Sequence, residues 1–167
     1  MTGKSGKAWV FGDNIDTDQL APGPYLKGSL EELLPHCLEA VNPEFASHVS
    51  QGDIVAGGRG FGIGSSREQA AQALQMLGVS AVIAVSFGGI FYRNALNFGL
   101  LALVCEQAGE IGQGDRLEID PEKGEIRNLT QGKSYSCEPI PAHLLAVVQA
   151  GGLVPFLEAQ RASSSGR

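Results

Sequence analysis

Ser65, Ser66 and Arg67 stand at the end of a glycine-rich run, GGRGFGIG over 57–64, and open a segment that reads as a helix, SREQAAQALQML. Two hydroxyls and a guanidinium at such a point suit one kind of chemistry. The first turn of a helix leaves N–H groups unpaired and carries the positive end of the dipole, so it attracts anions. Arg67 adds a fork that can grip a carboxylate with two hydrogen bonds. The expected ligand is a small carboxylate or phosphate. The glycines at 58, 60, 62 and 64 do not fit the common phosphate or nucleophile devices. G-x-G-x-x-G would need glycine at Ile63, no Gly-Lys-Ser/Thr follows, and there is no G-x-S-x-G elbow. A plainer reading stands beside this one. Ser65 with Glu68, and Ser66 with Gln69, each satisfy the S-x-x-E/Q capping box, so the serines could be caps and Arg67 a solvated first-turn residue. The glycines tip the balance toward a site, because a cap needs no such clearance.

Other reactive side chains are less suggestive. Asp13, Asp16 and Asp18 are close enough in sequence to consider a metal, but Asp in a loop usually forms turns. His36, His48 and His143 have no metal-ligand spacing and read as surface or satisfied side chains. Tyr92 and Arg93 lie near a helix start, where a structural role is the default. Cys37, Cys105 and Cys137 sit in apolar contexts and read as core thiols. No C-x-x-C pair offers zinc or an iron–sulfur cluster a grip, so no metal or cofactor is expected in this chain.

The elements that must position the serines follow from periodicity and punctuation. WVF at 9–11 reads as a strand, followed by the polar loop DNIDTDQLAPGPY. Ser29 and Glu32 form a capping-box pattern for a short helix, with Pro35 against its continuation. Asn42-Pro43 marks a second helix start. IVA at 54–56 is a strand leading into the glycines, and Gly78 stops the helix after them. VSAVIAVS is a β-branched run, as in a strand covered on both faces. IFYRNALNF reads as a helix stopped by Gly99, and LLALVC as the next buried strand. Strand, helix, strand, helix, strand indicates a parallel βαβαβ core. DRLEID and EIRNL around PEKG then read as a β-hairpin, with SYSCEPI as a further strand. AHLLAVVQA reads as a helix stopped by Gly151-Gly152, with PFLEAQ as a last short one.

Composition bounds what this arrangement can be. The 167 residues fit a single domain over 1–167, with 1–7 and 161–167 expected to be flexible. Hydrophobic residues at 43% and charged residues at only 18% exclude a disordered chain. A net charge of −6 without a basic cluster excludes a general nucleic-acid binder. The longest apolar stretch, 79–85, is too short to span a bilayer, and the N-terminus lacks a signal-peptide core. Three widely spaced cysteines argue against a disulfide scaffold and for a reducing, cytoplasmic setting. The fold class is α/β.

The segments FGDNIDTD, APGPYLK, GDIVAGGRGFGIGSSRE, GVSAVIAVSF and IFYRNALNFGL, in this order, resemble the small subunits of the 3-isopropylmalate dehydratase family, free-standing counterparts of the aconitase swivel domain. The likeness covers roughly residues 8 to 105 and extends toward the end of the chain. It implies a swivelling β/β/α domain, like the aconitase C-terminal domain, that docks on a large subunit carrying a [4Fe–4S] cluster. It also implies a hydro-lyase that removes water from a hydroxy-diacid and returns it with the hydroxyl on the neighbouring carbon. In that frame Ser65 would be the base, and Ser66 and Arg67 would bind a substrate carboxylate. Tyr25 and Lys27, in APGPYLK, would belong to a loop that selects the substrate, with Gly28 leaving space for a larger group. Asp16, Thr17, Asp18, Gly62 and Gly64 lie in the matched segments and would support the site.

Two departures bear on the substrate. Gln69 replaces the usual His after GSSRE, and Gly88-Gly89 replace Ala-Arg in SFARIF, removing a charge near the site. Lys27 stands where some members that take a longer acid place arginine. The resemblance favours 3-isopropylmalate as substrate, in leucine biosynthesis. The alternatives are a homoaconitase-type or a dimethylmalate- or methylmalate-type small subunit. From a different class, a non-catalytic anion-binding or regulatory partner with the same fold is the competing reading.

Overall fold

Four short strands run parallel: Lys4–Val10 (β1), Ile54–Ala56 (β2), Ala81–Ala84 (β3) and Leu101–Val104 (β4). The computed structural model describes residues 3–165. Alternation along each strand divides the core. Trp9, Val55, Val82 and Ala102 face one layer, while Ala8, Ile54, Ile83 and Leu103 face the other. Both faces of β3 are therefore dry, as its unbroken apolar run requires.

Three antiparallel strands complete the sheet: Arg116–Asp120 (β5), Glu125–Asn128 (β6) and Lys133–Ser136 (β7). The order is β4-β3-β2-β1-β5-β6-β7, so β1 joins a parallel half to an antiparallel half. Here one expectation fails. Lys4 to Lys7, expected to be flexible, pair with Ile119 to Arg116 and form the first half of β1. The sequence hides this because the partner strand lies more than a hundred residues away.

Short helices fill the loop after β1: Thr17–Leu20 (α1), Leu30–Leu33 (α2) and Phe45–His48 (α3). Ser29 caps α2 through Glu32 N–H, as its pattern predicts, and Pro35 falls in a following 3-10 turn. Asn42 instead makes an Asx turn to Glu44 N–H, and α3 starts two residues later than its Asn-Pro signal. Glu68–Met76 (α4) and Gly89–Asn97 (α5) are the crossovers between β2, β3 and β4. The βαβαβ core is thus as read from the sequence. Ala142–Gln149 (α6) packs Leu145 and Val148 against the second layer. Leu153–Ser165 (α7) runs well past the short helix expected there, so residues 161–165 are helical rather than loose. Residues 1, 2, 166 and 167 lie outside the described region. No single helix among the described residues is long and apolar enough to cross a membrane.

Candidate functional site

The glycine run leaves β2 between two other loops and is stitched to both by backbone hydrogen bonds. On one side, Asn14 N–H donates to Arg59 O (2.7 Å), Gly62 N–H to Ile15 O (2.6 Å) and Thr17 N–H to Ile63 O (2.8 Å). On the other, Phe61 N–H donates to Ser86 O (3.0 Å) and Gly88 N–H to Phe61 O (2.8 Å). The clearance that glycine provides is used by the protein itself. Gly62 has φ +80°, and a Cβ there would run into the Phe91 ring. Gly64 has φ +118°, and its Cβ would lie 2.7 Å from Thr17 Oγ1. The expected room for a ligand at these glycines is instead room for Phe91 and Thr17.

That stitching delivers Ser65 and Ser66 to the surface, both exposed, with Arg67 partly buried behind them. The capping reading of the serines does not hold. Arg67 itself occupies the N-cap position of α4, and no side chain caps the helix. Among the described residues the N–H groups of Ser66, Arg67, Glu68 and Gln69 donate to no backbone acceptor, which leaves an anion-attracting end open beside two exposed hydroxyls.

Thr17, buried at the start of α1, holds Ser65 from below. Its Oγ1 accepts Ser65 N–H at 3.0 Å and lies 3.3 Å from Ser65 Oγ. Arg67 Nη1 donates to Asp18 Oδ1 (2.8 Å) and to Ala21 O (3.0 Å), leaving Nη2 and Nε without a partner among the described residues. The Arg67 hydrogen bond holds the Asp18 carboxyl below its ordinary pKa, helped by Gly23 N–H. Asp16 closes a reciprocal capping box with Gln19 over α1. Asp13 Oδ1 accepts Arg59 N–H at 2.7 Å. The three aspartates are therefore not simple turn formers: Asp13 braces the glycine run from across the fold, Asp16 caps α1, and Asp18 is shared between Gly23 N–H and Arg67.

The segment expected to select the substrate lies alongside. Tyr25 is stacked on His36, ring centroids 3.6 Å apart and nearly parallel, and His36 Nδ1 lies 2.8 Å from Glu39 Oε2. Lys27 is exposed and has no hydrogen bond or ion pair among the described residues. The space at Gly28 is taken by the Glu32 carboxylate, not left for a larger group. Sequence reasoning missed Thr17 as the acceptor under Ser65, since nothing in the spacing signals a contact across 48 residues. Gln69 and Gln72 line a recess with Tyr25, Leu26, Gly28 and Leu33.

Among the described residues no group of three or more His, Cys, Asp and Glu is placed to hold a metal. Cys37 belongs to one core layer and Cys105 and Cys137 to the other, and burial pushes the Cys37 thiol up to about 12 and Cys137 to about 11. Divided and protonated in this way, they do not fit the ligand set of an iron–sulfur cluster.

A parallel α/β core that offers an exposed serine pair and an arginine at a glycine-built helix entrance defines an aconitase-type domain. Residues 39–108 match the model of the aconitase C-terminal domain. Over 155 residues the chain is 50% identical to 3-isopropylmalate dehydratase small subunit 1 of Thermotoga maritima, covering 92% of this chain and 93% of that one. It is also 50% identical over 150 residues to the methanogen homoaconitase small subunit of Methanothermobacter thermautotrophicus, covering 89% and 87%. A solved structure of 3-isopropylmalate dehydratase from Methanocaldococcus jannaschii superposes with a TM-score of 0.92 at 41% identity over 98% of each chain. The chain belongs to the 3-isopropylmalate dehydratase small-subunit family.

Proposed function

We propose that this chain is the small subunit of a cytoplasmic hydro-lyase that isomerises a hydroxy-diacid, with 3-isopropylmalate as the leading substrate. The observation that carries this reading is the exposed Ser65 hydroxyl, seated on Thr17 Oγ1 beside unpaired helix N–H groups and the free edge of Arg67. The relatives' names place such a chain beside a large subunit. In this proposal that subunit carries the [4Fe–4S] cluster, which would supply Lewis-acid chemistry at the substrate hydroxyl.

What this chain contributes can be derived from its own groups. Arg67, through Nη2 and Nε, and Ser66 grip one substrate carboxylate and fix the adjacent carbon over Ser65. Ser65, as alkoxide, takes the proton from that carbon, while hydroxide leaves the neighbouring one and a double bond forms between them. Re-addition with the positions exchanged returns the proton from Ser65 and completes the isomerisation. A serine alkoxide is costly in water. The positive end of α4 and the Arg67 charge reduce that cost in a site closed to solvent by a partner.

Lys27, exposed and without a partner, favours one alternative within the class, an acid with a third carboxylate as in homoaconitate. The exposed Ser65 and Ser66, together with an intact Arg67, argue against a non-catalytic anion-binding role. The test is Ser65→Ala in the complex with its large subunit. Turnover should fall by at least a thousandfold while the two chains still co-elute. Retained activity overturns the assignment of the base.

A further inference from the structure

Arg67 is held by one short segment that is anchored at both ends. Its Nη1 donates to Asp18 Oδ1 at 2.8 Å and to Ala21 O at 3.0 Å. Upstream, Thr17 N–H donates to Ile63 O at 2.8 Å and fastens the start of α1 to the glycine run. Downstream the chain reads Ala21-Pro22-Gly23-Pro24-Tyr25, with a 3-10 turn over Gly23–Tyr25 and Gly23 N–H on Asp18 Oδ1 at 3.2 Å. Two prolines fix φ in this stretch, so it forms a stiff link between Ala21 O and the Tyr25 ring.

The far end of the link is Tyr25 on His36. The ring centroids are 3.6 Å apart and the planes 3° from parallel, a fully overlapped sandwich. Two aromatic rings left to themselves prefer offset or edge-on contact, so this overlap is imposed from outside. Two restraints impose it. His36 Nδ1–H donates to Glu39 Oε2 at 2.8 Å, since a carboxylate only accepts. Two residues past His36, Leu38 is buried with φ +60°, a left-handed conformation that a branched side chain adopts only where its surroundings enforce it. The Leu38 N–H donates to Gln19 O at 2.9 Å and ties the His36 stretch back to α1. A histidine that merely filled a surface position would need neither the strain nor the second tie.

We propose that His36 is a positioning residue for the reaction. Seated by Glu39 and Leu38, it pins Tyr25, and through the proline link it keeps Asp18 and Ala21 O where they aim the free edge of Arg67. The inference rests on the hydro-lyase reading of Ser65 and adds to it a residue that acts only through others. Pinning the link in advance removes freedom that Arg67 would otherwise lose on gripping a carboxylate, so the effect belongs to binding. Ser65 is held separately by Thr17, and the proton transfer is spared.

The test uses the complex of both subunits, with 3-isopropylmalate and homoaconitate as probes. His36→Ala should raise KM about tenfold and leave kcat within about twofold. Glu39→Ala should raise KM in the same direction, whereas Glu39→Gln, whose amide oxygen still accepts from Nδ1–H, should stay near wild type. In a Tyr25→Ala background, His36→Ala should add nothing further. An unchanged KM in His36→Ala overturns the inference, as does a fall in kcat as large as the change in KM. A full His36→Ala effect without Tyr25 overturns it too. Where His36→Ala fails to assemble, the Glu39 variants decide, and equal KM values for alanine and glutamine there count against the proposal. Failure of the wild-type complex to turn over either acid overturns the hydro-lyase reading instead.

Discussion

Ser65 has one neighbour that decides its orientation, and that neighbour is Thr17. The hydroxyl of Thr17 takes Ser65 N–H at 3.0 Å and touches Ser65 Oγ at 3.3 Å, from a position only 3% exposed. Replacing Thr17 by Val keeps shape but removes the acceptor. The loss in stability should be about 1 kcal/mol. The loss in kcat should be larger, on the order of 10- to 100-fold, because a displacement of about 1 Å costs that much in a positioned reaction. KM should change little, and Thr17→Ser should restore most of the rate. A Thr17→Val enzyme with normal kcat would mean that Ser65 needs no support from below. Arg67 shows the opposite economy: Asp18 and Ala21 hold one nitrogen, so the remaining edge is already aimed and loses less freedom on binding an acid.

At the scale of elements, the loop that presents the serines depends on Gly62. Its φ of +80° disfavours any side chain, and its Cβ position is occupied by Phe91, which packs against Phe61 in the core. Gly62→Ala should therefore combine a backbone cost of about 1–2 kcal/mol with an overpacking cost of about 1–3 kcal/mol. A urea titration should show a clearly lower midpoint with an unchanged slope. An unchanged midpoint would show that the loop is not braced by this contact. Much of this level was legible in the sequence. The β-branched run of β3, the glycines that stop α4 and α5, and the turn between β5 and β6 carry local signals strong enough to read. Within the candidate site, Ser65, Ser66 and Arg67 stand out by type and spacing, whereas Thr17 enters through the resemblance alone, and its contact with Ser65, like that of Phe91 with Gly62, spans too many residues for a local signal. The close approach that the glycines permit is internal, to Phe91 and Thr17.

At the scale of the molecule, β1 is the single strand through which two unlike halves of the sheet communicate. Ala8 to Val10 pair in parallel with β2, next to the loop that presents Ser65, while Lys4 to Lys7 pair antiparallel with β5. Nothing in the polar MTGKSGK stretch proclaims a strand, because only one half of β1 is apolar and the other faces a partner fixed by the fold. Removal of residues 1–7 should thus act at a distance from the site. It leaves the β5 edge without a neighbour, and at about 1 kcal/mol for each hydrogen bond the loss is a sizeable part of the roughly 5–15 kcal/mol that holds a domain of this size. Hydrogen exchange on the full chain and on the shortened one separates the possibilities. Amides of β5, β6 and β7 should lose protection first and most, while β2, β3 and β4 keep theirs and Ser65 remains presented. Uniform loss across all seven strands would instead make the sheet one cooperative unit. Unchanged protection in β5 would make the first half of β1 dispensable.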